Sequence, residues 1–135
     1  MTQAIEMLDT YPAGLGDIDK TLLARCIEDC FTCAQTCTAC ADACLSETDP
    51  ARLTGCIRQN LDCADICTST GRVLSRQTAF DTALAGLVLR TCLSVCSSCA
   101  DECETHAAHM EHCRICAQAC RRCERSCNEL ILAIG

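Results

Sequence analysis

Aromatic residues are almost missing from this chain of 135 residues, which has no Trp and only Tyr11, Phe31 and Phe80. Aromatic packing therefore cannot hold its middle together. Clusters of Lys and Arg are missing too. With a net charge of −7 the chain lacks the basic footprint that a nucleic-acid ligand requires. No run of eighteen apolar residues occurs, so no membrane span and no membrane partner are expected. The opening Met1-Thr2-Gln3-Ala4-Ile5-Glu6 has neither the basic nor the apolar region of a secretory signal. That points to the cytoplasm, where thiols stay reduced. Strand alternation and hairpin turns are also lacking, which leaves an all-α reading.

Cysteine is what the chain has in excess, at 18 residues. The apolar fraction of 50% counts them, and the core that remains without them is thin. The densest stretch holds Cys26, Cys30, Cys33, Cys37, Cys40 and Cys44, with gaps alternating between four and three. Residues so spaced share one face of a helix. Leu, Ile or Val normally build such a seam; here it is thiol for roughly 27 Å at about 1.5 Å per residue.

The same rhythm recurs three more times. Cys56, Cys63 and Cys67 carry it with Asn60 at a seam position. Cys92, Cys96, Cys99 and Cys103 carry it on into His106 and Met110, and Cys113, Cys116, Cys120, Cys123 and Cys127 complete it. Punctuation places the helices. A short arm is expected at about 2–10, and Tyr11-Pro12-Ala13-Gly14-Leu15-Gly16 breaks it. Asp17 or Asp19 caps a helix at 18–46, and Asp49-Pro50 starts one at 50–74. Thr78 caps a third at 79–106, with Asp81 in its first turn, and a joint at Ala107-Ala108 leads to a fourth at 109–133. Short loops make neighbours antiparallel, so 1–135 reads as a single up-down-up-down four-helix bundle domain with an N-terminal helical arm.

This topology gathers Cys44, Cys56, Cys103, Cys113, His106, His109 and His112 at one pole. The other pole collects Leu22, Leu23, Val73, Leu74, Phe80, Leu84, Leu87, Val88, Leu130, Ile131 and Ile134. The expected molecule is a tube with a greasy base, a thiol-lined shaft and an imidazole-ringed mouth.

Buried cysteine can be mere apolar filler, but not at 18 seam positions. Disulfides between cysteines on one helix face are strained, and many cross-helix bridges are unexpected in a reducing compartment. Soft thiolates select Cu(I), Zn or iron–sulfur clusters. The tight Cys-x2-Cys-x2-Cys run of iron–sulfur proteins and the Cys-x2-Cys-His haem motif do not occur. A continuous helix face does not close a zinc tetrahedron as a knuckle does. Cu(I) accepts two or three thiolates, so neighbours on adjacent turns can clamp one ion. Eighteen thiolates balance eighteen monovalent ions, whereas zinc at that loading leaves costly buried charge. Sulfur bridging sets the capacity at roughly one ion per cysteine. The alternative is a zinc or thiol redox buffer or sensor.

Among the other polar residues, the Asn60 carbonyl is a weak extra ligand or a partner to a thiolate, against a core Asn satisfied by backbone. His106, His109 and His112 suit entry-site ligation beside Cys103 and Cys113. Met110 is a thioether ligand or a gap-filler. Asp42, Asp62, Asp65 and Asp101 belong to a solvated face. No catalytic arrangement stands out, so an enzyme is not expected.

The Cys-x3-Cys and Cys-x2-Cys repeats on all four helices, with the His group between the third and fourth, resemble the copper storage proteins over about 18–133. The similarity is to their cytosolic, signal-less bacterial branch. It implies a Cys-lined bundle that takes up many Cu(I) ions and assembles as a homotetramer, with a copper chaperone as donor or acceptor.

Overall fold

The computed structural model describes residues 2–135. Helix α1 (Gln3–Asp9) is the short arm, followed by α2 (Lys20–Leu45), α3 (Thr54–Ser75), α4 (Thr82–His106) and α5 (Glu111–Ile134). Among the described residues there is no strand. Each long helix packs on two neighbours, in the ring α2–α3–α4–α5–α2. The result is the expected antiparallel four-helix bundle, with α1 laid along α2.

The helix starts show local chemistry at work. Of the two candidate caps, Asp19 opens α2, accepting from the backbone N–H of Thr21 at 2.9 Å and of Leu22 at 3.1 Å. Such a cap is worth about 1 kcal/mol. Thr78 does not cap the next-but-one helix. Ala79 takes a left-handed φ of 55°, which no helix tolerates, so α4 starts only after Asp81. Asp81 accepts from Ala83 N–H at 3.0 Å and Leu84 N–H at 3.1 Å. Thr78 instead bonds the Tyr11 hydroxyl at 2.8 Å, tying the arm to the α3–α4 turn. Asp49-Pro50 also departs from expectation. The Asp49 side chain caps nothing, and Pro50–Leu53 form a 3₁₀ turn before α3 begins at Thr54. Proline fits that turn because its position needs no N–H donor.

The base is closed by Leu23, Leu74, Ala85, Leu89 and Leu130, each at most 1% exposed. Leu8 of α1 is buried, and Ile5, Leu15 and Ile18 pack against the same core. Leu84 and Leu87, both expected in the plug, are not in it. Leu84 is 48% exposed and Leu87 is 61% exposed, because they lie off the inward stripe that Ala85, Leu89 and Cys92 define. By length and mean composition α4 is apolar enough to cross a bilayer, although it holds no run of eighteen apolar residues. Much of that character is Cys92, Cys96, Cys99 and Cys103, which are buried in the bundle.

Phe31 and Gly71 show how tightly α2 meets α3. A Cβ added at Gly71 would lie 2.8 Å from Phe31 Cζ and 2.9 Å from Cε2, so only glycine admits the ring there.

Candidate metal centre

All 18 cysteines are buried free thiols. Their four-three rhythm keeps them on the inward stripe of each helix. Buried alanines travel with them: Ala34, Ala41, Ala64, Ala100 and Ala117 each follow a cysteine directly. These small side chains let the backbones close until sulfurs of facing helices touch.

The contacts run the length of the shaft. Cys26 meets Cys127 at 3.8 Å above the base, and Cys30 meets Cys123 at 3.8 Å. Across α3 and α4, Cys67 lies 3.6 Å from Cys96 and 3.7 Å from Cys92. Across α2 and α5, Cys37 lies 3.6 Å from both Cys116 and Cys120. Higher up, Cys40 lies 3.9 Å from Cys113, and Cys56 lies 4.0 Å from Cys103.

These contacts form groups of four ligand atoms, all within 4.8 Å of one another. Cys30, Cys92, Cys123 and Cys127 make one of them toward the base. Next come Cys33, Cys63, Cys67 and Cys96, then Cys33, Cys37, Cys63 and Cys120, then Cys37, Cys99, Cys116 and Cys120. The second and third groups share Cys33 and Cys63; the third and fourth share Cys37 and Cys120. At the mouth stand Cys40, Cys44, His112 and Cys113.

Asn60 separates the mouth from the deeper groups. It is fully buried and, contrary to the reading of a core Asn satisfied by backbone, its partners are sulfurs. Its carbonyl accepts from the thiols of Cys99 at 3.0 Å, Cys116 at 3.2 Å and Cys103 at 3.6 Å. Its amide donates to Cys56 Sγ at 3.7 Å. Burial, with the charge of Cys40 next to it, pushes the Cys44 thiol up to about 11, and burial likewise raises Cys113. Cys40 goes the other way: hydrogen bonds from Cys103, Cys116, Cys56 and His112 lower its thiol, so the mouth pairs one easily ionised sulfur with two that hold their protons.

The three histidines differ. His112 turns Nδ1 toward Cys40 Sγ at 3.4 Å and Cys113 Sγ at 3.7 Å. Burial disfavours its charged form, but hydrogen bonds to Cys40 and Glu47 outweigh that and raise its pKa. His106 lies 3.4 Å from Glu102, one turn back on its own helix, and His109 is exposed on the α4–α5 turn. Met110 precedes α5 as its cap residue, and its half-buried side chain packs against the core. Asp42, Asp62, Asp65 and Asp101 are all exposed. Sequence reasoning missed Glu47, whose carboxylate is 3.2 Å from His112 Nε2. Only its position just past Cys44 hinted at it.

A family model described as copper storage protein matches residues 19–132. The copper storage protein Ccsp of Streptomyces lividans, in a structure loaded with 10 copper equivalents, is 55% identical. It superposes with a TM-score of 0.95, covering 96% of this chain and 98% of that one. A five-copper structure from the same organism, described as a cytosolic copper storage protein, is 56% identical with a TM-score of 0.84, over 85% and 96% of the two chains. The cysteine-rich protein YhjQ of Bacillus subtilis (strain 168), itself uncharacterised, is 34% identical over 105 residues, covering 78% of this chain and 92% of that protein.

Proposed function

Because this chain belongs to the copper storage protein family, we propose that it stores Cu(I) in the cytosol, with copper as cargo rather than as a catalytic cofactor. The observation that carries this reading is the sharing of cysteines between successive four-sulfur groups. Shared sulfurs suit a monovalent soft ion, which needs only two or three of them and is passed on by exchange of one ligand at a time. Zinc demands a full tetrahedron of four at each ion, and divalent ions at one per cysteine would leave buried positive charge uncompensated. Storage keeps the ion from thiol enzymes and from redox cycling; nothing in the arrangement calls for catalysis.

The ligands we assign are the buried cysteines, with Asn60 contributing its carbonyl between the mouth and the deeper groups. His112 receives copper at the mouth, and His106, His109 and Met110 stand outside it as collecting groups. Imidazole ligates without adding negative charge and holds Cu(I) less tightly than thiolate, so transfer runs inward. A copper chaperone as donor or acceptor fits this open end. The exposed Leu84, Leu87 and Leu132 support a homo-oligomer, and the tetramer implied by the family resemblance is checked by sedimentation equilibrium.

The decisive experiment is anaerobic titration of the reduced protein with Cu(I), and separately with Zn(II), against a chromophoric chelator. Copper should bind to roughly one ion per cysteine. Saturation at one or two equivalents, or an equal appetite for zinc, would overturn storage in favour of a thiol buffer or sensor.

A further inference from the structure

We propose that Glu47 is a positioning residue for the mouth: its carboxylate fixes the ring of His112 so that the Nδ1 lone pair faces the thiols of Cys40, Cys44 and Cys113. The proposal rests on the storage reading above, in which His112 is a ligand.

A carboxylate only accepts, so the 3.2 Å contact between Glu47 Oε2 and His112 Nε2 requires the hydrogen of a neutral imidazole to sit on Nε2. Nδ1 then carries a lone pair, and it is this atom that lies 3.4 Å from Cys40 Sγ and 3.7 Å from Cys113 Sγ. A ring flip would break both sets of contacts. The two side chains are partly buried, Glu47 35% exposed and His112 27%. Nor is Glu47 a loosely held loop residue, since its backbone N–H donates to the carbonyl of Cys44 at 3.2 Å. The residue that orients the imidazole is therefore tied to the backbone of a cysteine in the same mouth group.

His106 is the internal contrast. It too faces a carboxylate, Glu102, and is as sheltered as His112, but that carboxylate is on its own helix and His106 belongs to no thiol group described above. Pairing with a carboxylate is common; a carboxylate on one side and thiols on the other is the arrangement that orients a metal ligand.

The test uses the full chain, first without copper. Two-dimensional ¹⁵N–¹H spectra of histidine-labelled apo protein should show His112 as a single tautomer with the hydrogen on Nε2. Glu47→Ala should give a mixture of tautomers and slow the transfer of Cu(I) from a chelator about tenfold, the low end of what losing such a partner costs. Capacity should stay unchanged. Glu47→Gln should recover most of both effects, because its amide oxygen still accepts from Nε2–H. Glu47→Ala behaving as wild type in either readout would overturn the proposal. So would Glu47→Gln as slow as Glu47→Ala, which would make the negative charge, not the orientation, the active feature. His112→Ala is the control for the underlying reading. If it loads as fast as wild type, His112 is not the entry ligand, whatever the tautomer spectra show.

Discussion

Asn60 is a side chain whose replacement separates packing from chemistry. Leu is close to it in volume, and thiols are weak donors that lose little when their acceptor is removed. Asn60→Leu should therefore keep the stability of the apo protein within about 1 kcal/mol in urea unfolding. The copper count per chain after gel filtration should nonetheless fall, because the oxygen that touches Cys99, Cys103 and Cys116 is gone. An unchanged count would make the amide a spacer. The seam position of Asn60 was legible from the four-three rhythm, but its partners were not. Which thiols share its level depends on how α3, α4 and α5 are staggered along the axis. Glu47 was illegible for a related reason, since its reach to His112 is set by the turn after α2 rather than by any spacing.

Helix existence and inward faces could be read from cysteine positions alone, because a three-four repeat fits no other regular structure. Helix starts were harder. The left-handed Ala79 leaves no mark in sequence, so the cap moved from Thr78 to Asp81. Contacts between helices were not readable either, and two of them make predictions. Gly71→Val drives a branched side chain into the Phe31 ring, and should cost about 1–3 kcal/mol in apo stability; no loss would show that the ring swings out freely. On the opposite side, Arg121 of α5 bonds Asp101 and Glu104 of α4 and Glu124 of its own helix. These groups are partly solvated, so Arg121→Ala should cost less than about 1 kcal/mol. The Arg121 hydrogen bonds hold the Glu104 carboxyl below its usual value of 4.5. Its contribution is thus present above about pH 4.5 and is lost as pH falls through the lower folded value. Wild type and variant should converge in urea unfolding as the solution is acidified below that.

For the molecule as a whole, the closed leucine base and the capped helices predict a folded protein without cargo, unlike zinc fingers, which need their metal to fold. Far-UV circular dichroism of chelator-treated, reduced protein should be helical; a coil that turns helical on adding Cu(I) would show that the base is not enough. Charge balance gives a second whole-molecule prediction. A buried row of thiols cannot stay ionised without counter-ions, so loading must exchange protons for copper. An unbuffered anaerobic titration should release about one proton per ion bound, and markedly fewer would mean that the apo shaft already holds thiolates.

The base and the mouth together make the shaft a blind alley. Leu23, Leu74, Leu89 and Leu130 shut one end, and the group of Cys40, Cys44, His112 and Cys113 stands at the other. A vessel with one door empties in the reverse of the order in which it fills: last in, first out. Protein half-filled with ⁶³Cu and topped up with ⁶⁵Cu should surrender mostly ⁶⁵Cu to the first portions of a chelator. A ratio equal to the loaded average would mean that ions trade places across the shared sulfurs faster than they leave. Copper held near Cys30 and Cys127 would then be as quickly available to the cell as copper at the door.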